Sequence, residues 1–196
     1  EAENLDAILE AWYPGQQGGK AVAEVLFGDY NPAGKLPVTF YRNVSQLPDF
    51  EDYNMTGRTY RYMQDVPLFP FGYGLSYTTF GYGKTVLDKN ELTAGQSLKL
   101  TVPVTNTGKR NGEEVVQVYL RKQGDAEGPI KTLRAFKRVS IPAGKTVNVE
   151  FDLKDKELEW WDDQSNTVRV CPGNYDIMVG GSSKEEDLQR TTIAIK

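Results

Sequence analysis

The amino-acid sequence predicts a mainly β protein, an antiparallel β-sandwich in its C-terminal part preceded by a partial α/β segment. From Leu98 onward, apolar residues alternate with polar ones in short runs, the period of a strand with one buried face. Turn signals separate these runs at sandwich spacing. Charge divides the chain as well: residues 1–76 hold 5 basic and 10 acidic side chains, net −5, and residues 77–196 hold 18 and 17, net +1.

Taken in order, Leu5, Ile8, Leu9 and Trp12 recur at helical spacing and predict a helix stopped by Pro14-Gly15. A second helix follows Gly18-Gly19, with Ala21, Val22, Val25 and Leu26 on one side, and breaks at Gly28 and Asn31-Pro32-Ala33-Gly34. Leu36 to Phe40 reads as a short strand. Two helices and one strand close no core, so this part reads as the tail of an α/β domain. Nine aromatic residues lie between Tyr53 and Tyr82, most of them in or near the stretch PLFPFGYGLSYTTF, residues 67–80.

Seven strands are then expected: Leu98–Val104, Val116–Leu120, Leu133–Ile141, Val147–Leu153, one at Val168 and Val170, Tyr175–Val179 and Thr191–Ile195. Asn106-Thr107-Gly108, Pro142-Ala143-Gly144 and Cys171-Pro172-Gly173 supply turns. Pro103 inside the first run predicts an edge position or a bulge, because proline cannot donate to a ladder. About 120 residues suffice to bury most of such a domain's apolar surface.

Composition excludes several function classes. The net charge of −4 argues for neither nucleic acid nor an anionic membrane as partner. No apolar run approaches the roughly 18–20 residues that span a bilayer. A signal peptide is not visible, and the opening Glu1-Ala-Glu-Asn-Leu reads as the interior of a longer chain. Cys171 is the single cysteine, which rules out an intrachain disulfide. There is no histidine, so Ser-His and Cys-His catalysis and histidine-ligated metals are excluded within the chain.

The remaining chemistry is sparse. Gly15-Gln-Gln-Gly-Gly-Lys20 fails as a phosphate loop: Pro14 stands where the first glycine belongs and Ala21 where a hydroxyl would hold magnesium. A tight helix-entry turn is the better reading. Asp49, Glu51 and Asp52, Glu157 and Glu159, and Asp162-Asp163 are grouped carboxylates. Glycoside hydrolysis needs two of them facing across a sugar, about 5–10 Å apart, and neighbours in a loop do not establish that. They read as surface charge, and no EF-hand spacing is present. Trp160-Trp161 offers a candidate platform for sugar rings, the alternative being core filler. Arg58 and Arg61, flanking Tyr60, read as interdomain contacts rather than a carboxylate clamp.

Residues 11–19, AWYPGQQGG, and 23–39, AEVLFGDYNPAGKLPVT, resemble the last part of the α/β sandwich domain of glycoside hydrolase family 3. Tyr60-Arg-Tyr62 and residues 67–80 are similar to that family's link into its fibronectin type III-like, immunoglobulin-like β-sandwich. VPVTNTG from Val102, GEEVVQVYL from Gly112, LRAFKRV from Leu133, PGNY from Pro172 and VGGSS from Val179 look like that domain's strands. The resemblance implies three parts: residues 1–42 as the α/β tail, 43–79 as an aromatic interdomain linker, and 80–196 as the sandwich. Phe69, Phe71, Tyr73 and Tyr77 are then expected to be largely buried when both neighbouring bodies are present.

The family cleaves β-linked sugars with retention, from the non-reducing end. Its nucleophilic aspartate sits in an N-terminal barrel, and its acid/base glutamate in the α/β domain ahead of a Pro-Gly-x-x-Gly-Gly motif. Neither catalytic motif occurs here, so no catalytic residue is carried over. The resemblance implies a non-catalytic C-terminal part of a β-glucosidase or β-xylosidase that braces the upstream catalytic domains of the same chain. Gly57-Arg-Thr-Tyr-Arg-Tyr62 leans toward the xylosidase-like members. The alternative is a carbohydrate-binding module that tethers the enzyme to a β-linked oligosaccharide or polysaccharide, with Trp160 and Trp161 as its binding residues. No cofactor and no metal are expected, and the family implies a secreted or periplasmic parent.

Overall fold

The computed structural model describes residue 2 and residues 4–196; Glu1 and Glu3, at the start of the expected α/β tail, lie outside the described residues. Helix α1 spans Gly18–Phe27, and Gly28 closes it in the left-handed conformation, φ 81°, which glycine adopts without a Cβ penalty. The second expected helix is therefore present. The first is not: residues 4–13 form neither helix nor ladder. Glu10 Oε1 accepts the backbone N–H of Trp12 at 2.9 Å, a local bond that competes with the helical one. Leu5, Ile8, Leu9 and Trp12 remain exposed, only Trp12 meeting another ring, Phe40 at 6.5 Å, so little packing offsets the cost of nucleating a short helix. The expected strand at 36–40 reduces to a bridge between Phe40 and Phe69, with Leu36 N–H donating to Tyr73 O at 2.8 Å.

After a single helical turn, α2 (Thr59–Tyr62), the chain enters the sandwich. Short strands β1 (Phe80–Tyr82), β2 (Val86–Leu87) and β3 (Glu91–Leu92) precede the long ones: β4 (Leu98–Asn106), β5 (Gly112–Lys122), β6 (Thr132–Ile141) and β7 (Thr146–Leu153). The one-turn helix α3 (Asp155–Leu158) leads into a hairpin of β8 (Trp160–Asp162) and β9 (Thr167–Arg169), and β10 (Gly173–Gly180) and β11 (Gln189–Ile195) complete the fold. In one sheet β4 pairs with β7 along one side and with β1 and β2 along the other; the second sheet runs β3-β11-β10-β5-β6. Every pairing is antiparallel except β11 with β3.

One core joins the sheets. Leu98, Leu100, Val102 and Val104 of β4 and Val149, Phe151 and Leu153 of β7 meet Val116, Val118 and Leu120 of β5 and Tyr175, Ile177 and Val179 of β10. Successive side chains point to opposite faces, so the alternation read in the sequence is the inward face. Two expectations are corrected. The run at Val168–Val170 pairs only with β8, outside the two main sheets. Pro103 is neither on an edge strand nor at a bulge: β4 is central, and Pro103 pairs in register with Asn148. Its carbonyl accepts Gly83 N–H at 2.7 Å, so its missing donor faces the side where β1 has ended and β2 has not begun.

Candidate functional site

The linker packs against the outer face of the five-stranded sheet. Both faces of β5 are buried from Val116 to Leu120: the Val and Leu side chains enter the core, and Gln117 and Tyr119 point outward. The Tyr60 ring stacks on Phe71 at 4.2 Å and meets Tyr119 edge-on at 5.9 Å. Such pairs contribute about 0.5–1.5 kcal/mol beyond their burial. Tyr119 O–H donates to Gln117 Oε1 at 2.5 Å, while Gln117 Nε2 donates to Gly72 O at 3.2 Å and Gly181 O at 2.5 Å. Backbone bonds pin the linker further: Ser183 N–H to Phe71 O at 2.9 Å and Ile130 N–H to Arg61 O at 2.7 Å. The Tyr60 hydroxyl oxygen accepts Leu133 N–H at 3.1 Å. Gly72 permits this approach. Its φ is +78°, and a Cβ there would stand 2.1 Å from Gln117 Oε1.

Polar contacts tie the α/β tail to the same body. Asn31 Oδ1 accepts from Tyr77 N–H at 2.7 Å and Ser76 O–H at 2.9 Å, and Asn31 Nδ2 donates to Asn111 O at 2.9 Å. Tyr77 O–H donates to Val25 O at 2.6 Å, and Arg110 reaches Gly28 O at 3.0 Å. Lys35 Nζ bridges to the buried carboxylate of Glu114 at 3.1 Å. Burial pushes the Glu114 carboxyl above its ordinary value, and Lys35 opposes the shift. Burial also pushes up Tyr82, whose hydroxyl is further raised by the Glu114 charge. Phe69, Phe71 and Tyr73 are half-buried, and Tyr77 stays exposed.

Most of the grouped carboxylates have a structural partner. Asp49 and Asp52 accept backbone N–H groups two residues on. Glu157 accepts Lys154 N–H at 2.9 Å, and the Glu159 backbone carbonyl accepts from Arg134. Asp162 takes hydrogen bonds from Ser165 and Arg169, which hold its carboxyl down at about 2. An open cleft of about 530 Å³ beside the Lys35–Glu114 bridge is also lined by Glu186 and Asp187, acids the sequence reading did not single out. There Glu114 accepts from Lys35 and from Val115 N–H, and Glu186 lies 3.7 Å from Lys184. No group of three or more potential metal ligands occurs among the described residues.

The two tryptophans separate. Trp160 is 2% exposed, donates its indole N–H to Asp125 at 2.6 Å and packs edge-on against Tyr175, so it presents no face to a ligand. Of the candidate platform, Trp160 is therefore core filler and only Trp161 faces outward. Trp161, 49% exposed, is oriented by a 2.8 Å bond to Asp163. Arg58 binds the carbonyls of Asp52 and Asn54 within its own loop, and Arg61 lies over the Tyr62 ring, so neither side chain bridges to the sandwich through a hydrogen bond or an ion pair. The seam residues that sequence reasoning missed, Gln117, Glu114, Lys35 and Asn31, are single polar residues. Within the sandwich, the outward-facing Tyr119 inside a two-face-buried strand is a signal that a covering segment exists.

Comparison with known proteins agrees with this architecture. Residues 1–77 match the glycosyl hydrolase family 3 C-terminal domain, and residues 114–183 match the fibronectin type III-like domain. A xylan 1,4-beta-xylosidase of Xylanibacter ruminicola is 55% identical over the whole chain, and a beta-xylosidase of Formosa agariphila is 44% identical over the whole chain. The chain spans 22% and 28% of those relatives' lengths. A β-glucosidase structure from Erythrobacter marinus superposes on all of it with a TM-score of 0.85 at 43% identity, the chain covering 26% of that protein. The chain belongs to glycoside hydrolase family 3, of which it carries the end of the C-terminal domain and the fibronectin type III-like domain.

Proposed function

We propose that the chain is the non-catalytic C-terminal part of a retaining, exo-acting β-glycosidase, a β-xylosidase or β-glucosidase, and that it braces upstream catalytic domains. The observation that carries this reading is the docked linker, which fastens the α/β tail to the sandwich while leaving Leu5, Ile8, Leu9, Trp12, Leu26 and Phe27 open to a further body. The names of the relatives and of the solved structure support the reaction class. The full-length protein is expected to release nitrophenol from an aryl β-xyloside or β-glucoside, and removal of residues 80–196 to lower its Tm. Unchanged stability on that deletion would refute the bracing role.

A second reading has one observation in its favour: Trp161, with its ring half-exposed and its indole fixed by Asp163, fits a stacking contact with a sugar. Affinity electrophoresis of the chain in gels containing soluble xylan tests it. Retardation abolished by Trp161→Ala supports binding, and migration equal to that in plain gels rejects it.

A further inference from the structure

We propose that the loop over residues 43–58 is a preformed docking finger that seats against the upstream catalytic portion of the same polypeptide; this rests on reading the chain as one part of a longer glycosidase. Val44, Leu47, Pro48, Phe50, Tyr53 and Met55 line one open bowl of about 630 Å³. Its tips face solvent: Phe50 is 94% exposed, Tyr53 89% and Val44 82%. Leaving this much aromatic and branched surface in water is unfavourable by about 25 cal/mol per Å² of apolar area, and contiguous patches of this kind mark interaction sites.

The loop is built rather than slack. Asn43 Oδ1 accepts Ser45 N–H at 3.0 Å, and Gln46 side-chain atoms bond Arg42 N–H at 2.6 Å and Val66 O at 3.3 Å. Asp49 and Asp52 make turns at 2.9 Å, and Arg58 closes the base on Asn54 O at 2.9 Å. None of these bonds buries the apolar tips; they only fix how the tips are presented.

The relatives' lengths indicate what covers the bowl, since the chain spans 22–28% of them. The occupant is then an apolar face on the larger, preceding part. The charged rim is Asp49 and Asp52 with Arg58, one acid in excess, which suits a face bordered by a basic residue.

Hydrogen exchange of the full-length protein against the 196-residue chain tests this. The expected result is at least tenfold slower exchange of the amides over 44–55 in the full-length protein, independent of protein concentration, with amides of the sandwich core unchanged. In the full-length V44S/F50S/Y53S variant that protection is lost and the core protection persists. Equal exchange in the two wild-type proteins overturns the proposal. So does protection that appears only as concentration rises, which assigns the finger to a second copy. Failure of the glycosidase reading shows separately, as full-length protein that cleaves no aryl β-glycoside whatever its exchange pattern.

Discussion

Trp160 gives its indole N–H to Asp125 and its ring to Tyr175 inside the sandwich, so Trp160→Ala leaves a cavity and takes from Asp125 Oδ2 its donor, while Oδ1 keeps Gly128 N–H. It should cost about 3–5 kcal/mol in denaturant unfolding. Trp161→Ala, on the outer face of β8, should stay within about 0.5 kcal/mol of wild type. A comparable loss at the two positions would contradict the separation of their roles. The sequence made the pair visible but not which ring turns inward, because that depends on the register of a two-strand hairpin.

Lys35 and Glu114 give a signed pH dependence. Burial raises the folded-state pKa of Glu114 above its ordinary 4.5. The stability this group contributes is therefore fully present below about pH 4.5 and lost as pH rises through the raised value. Lys35 offsets that loss by pairing with the carboxylate. Lys35→Met should lower Tm more at pH 7 than at pH 4, and an equal or larger loss at pH 4 would exclude the buried bridge. Asp162 runs the other way. Its lowered pKa favours the folded hairpin above about pH 4 and releases it toward pH 2, which Trp161 fluorescence should follow.

At the scale of elements, the linker depends on one backbone approach. Gly72→Ala places a Cβ against Gln117 at a left-handed φ and should destabilise the chain by about 1–3 kcal/mol. Exchange should rise first at Ser183 and Ile130, whose N–H groups bond the linker; a neutral substitution would mean the linker is not anchored there. The long strands β4, β5, β7, β10 and β11 were legible because alternation survives wherever one face meets the core. Strands β1, β2, β3 and β8, of two or three residues each, were not, since a period of two needs more repeats to show. Residues 5–12 carry a helical period without forming a helix, because a sequence cannot show that the apolar face finds no body to pack against. Pro103 was expected at an edge or a bulge because a sequence cannot show that the neighbouring strand is interrupted opposite it.

For the whole molecule, the aromatic stretch was legible as a domain seam, and the sandwich takes up part of it. Tyr60 stacks on Phe71 and meets Tyr119 edge-on, while Tyr77 stays exposed at the rim, its N–H bonded by Asn31 and its ring covered by Arg110. The contacts that fix the seam were not legible, because Asn31 and Tyr77, or Lys35 and Glu114, are brought together only by the folded topology. The claim on which the account rests is that the acids of this chain hold its architecture and do no chemistry on sugars. Incubation of the purified 196-residue chain with nitrophenyl β-xyloside and β-glucoside, at concentrations where the full-length protein turns over, tests it most directly. No nitrophenol above the uncatalysed background is the expected result; release that Glu114→Gln or an Asp187 substitution abolishes would contradict it.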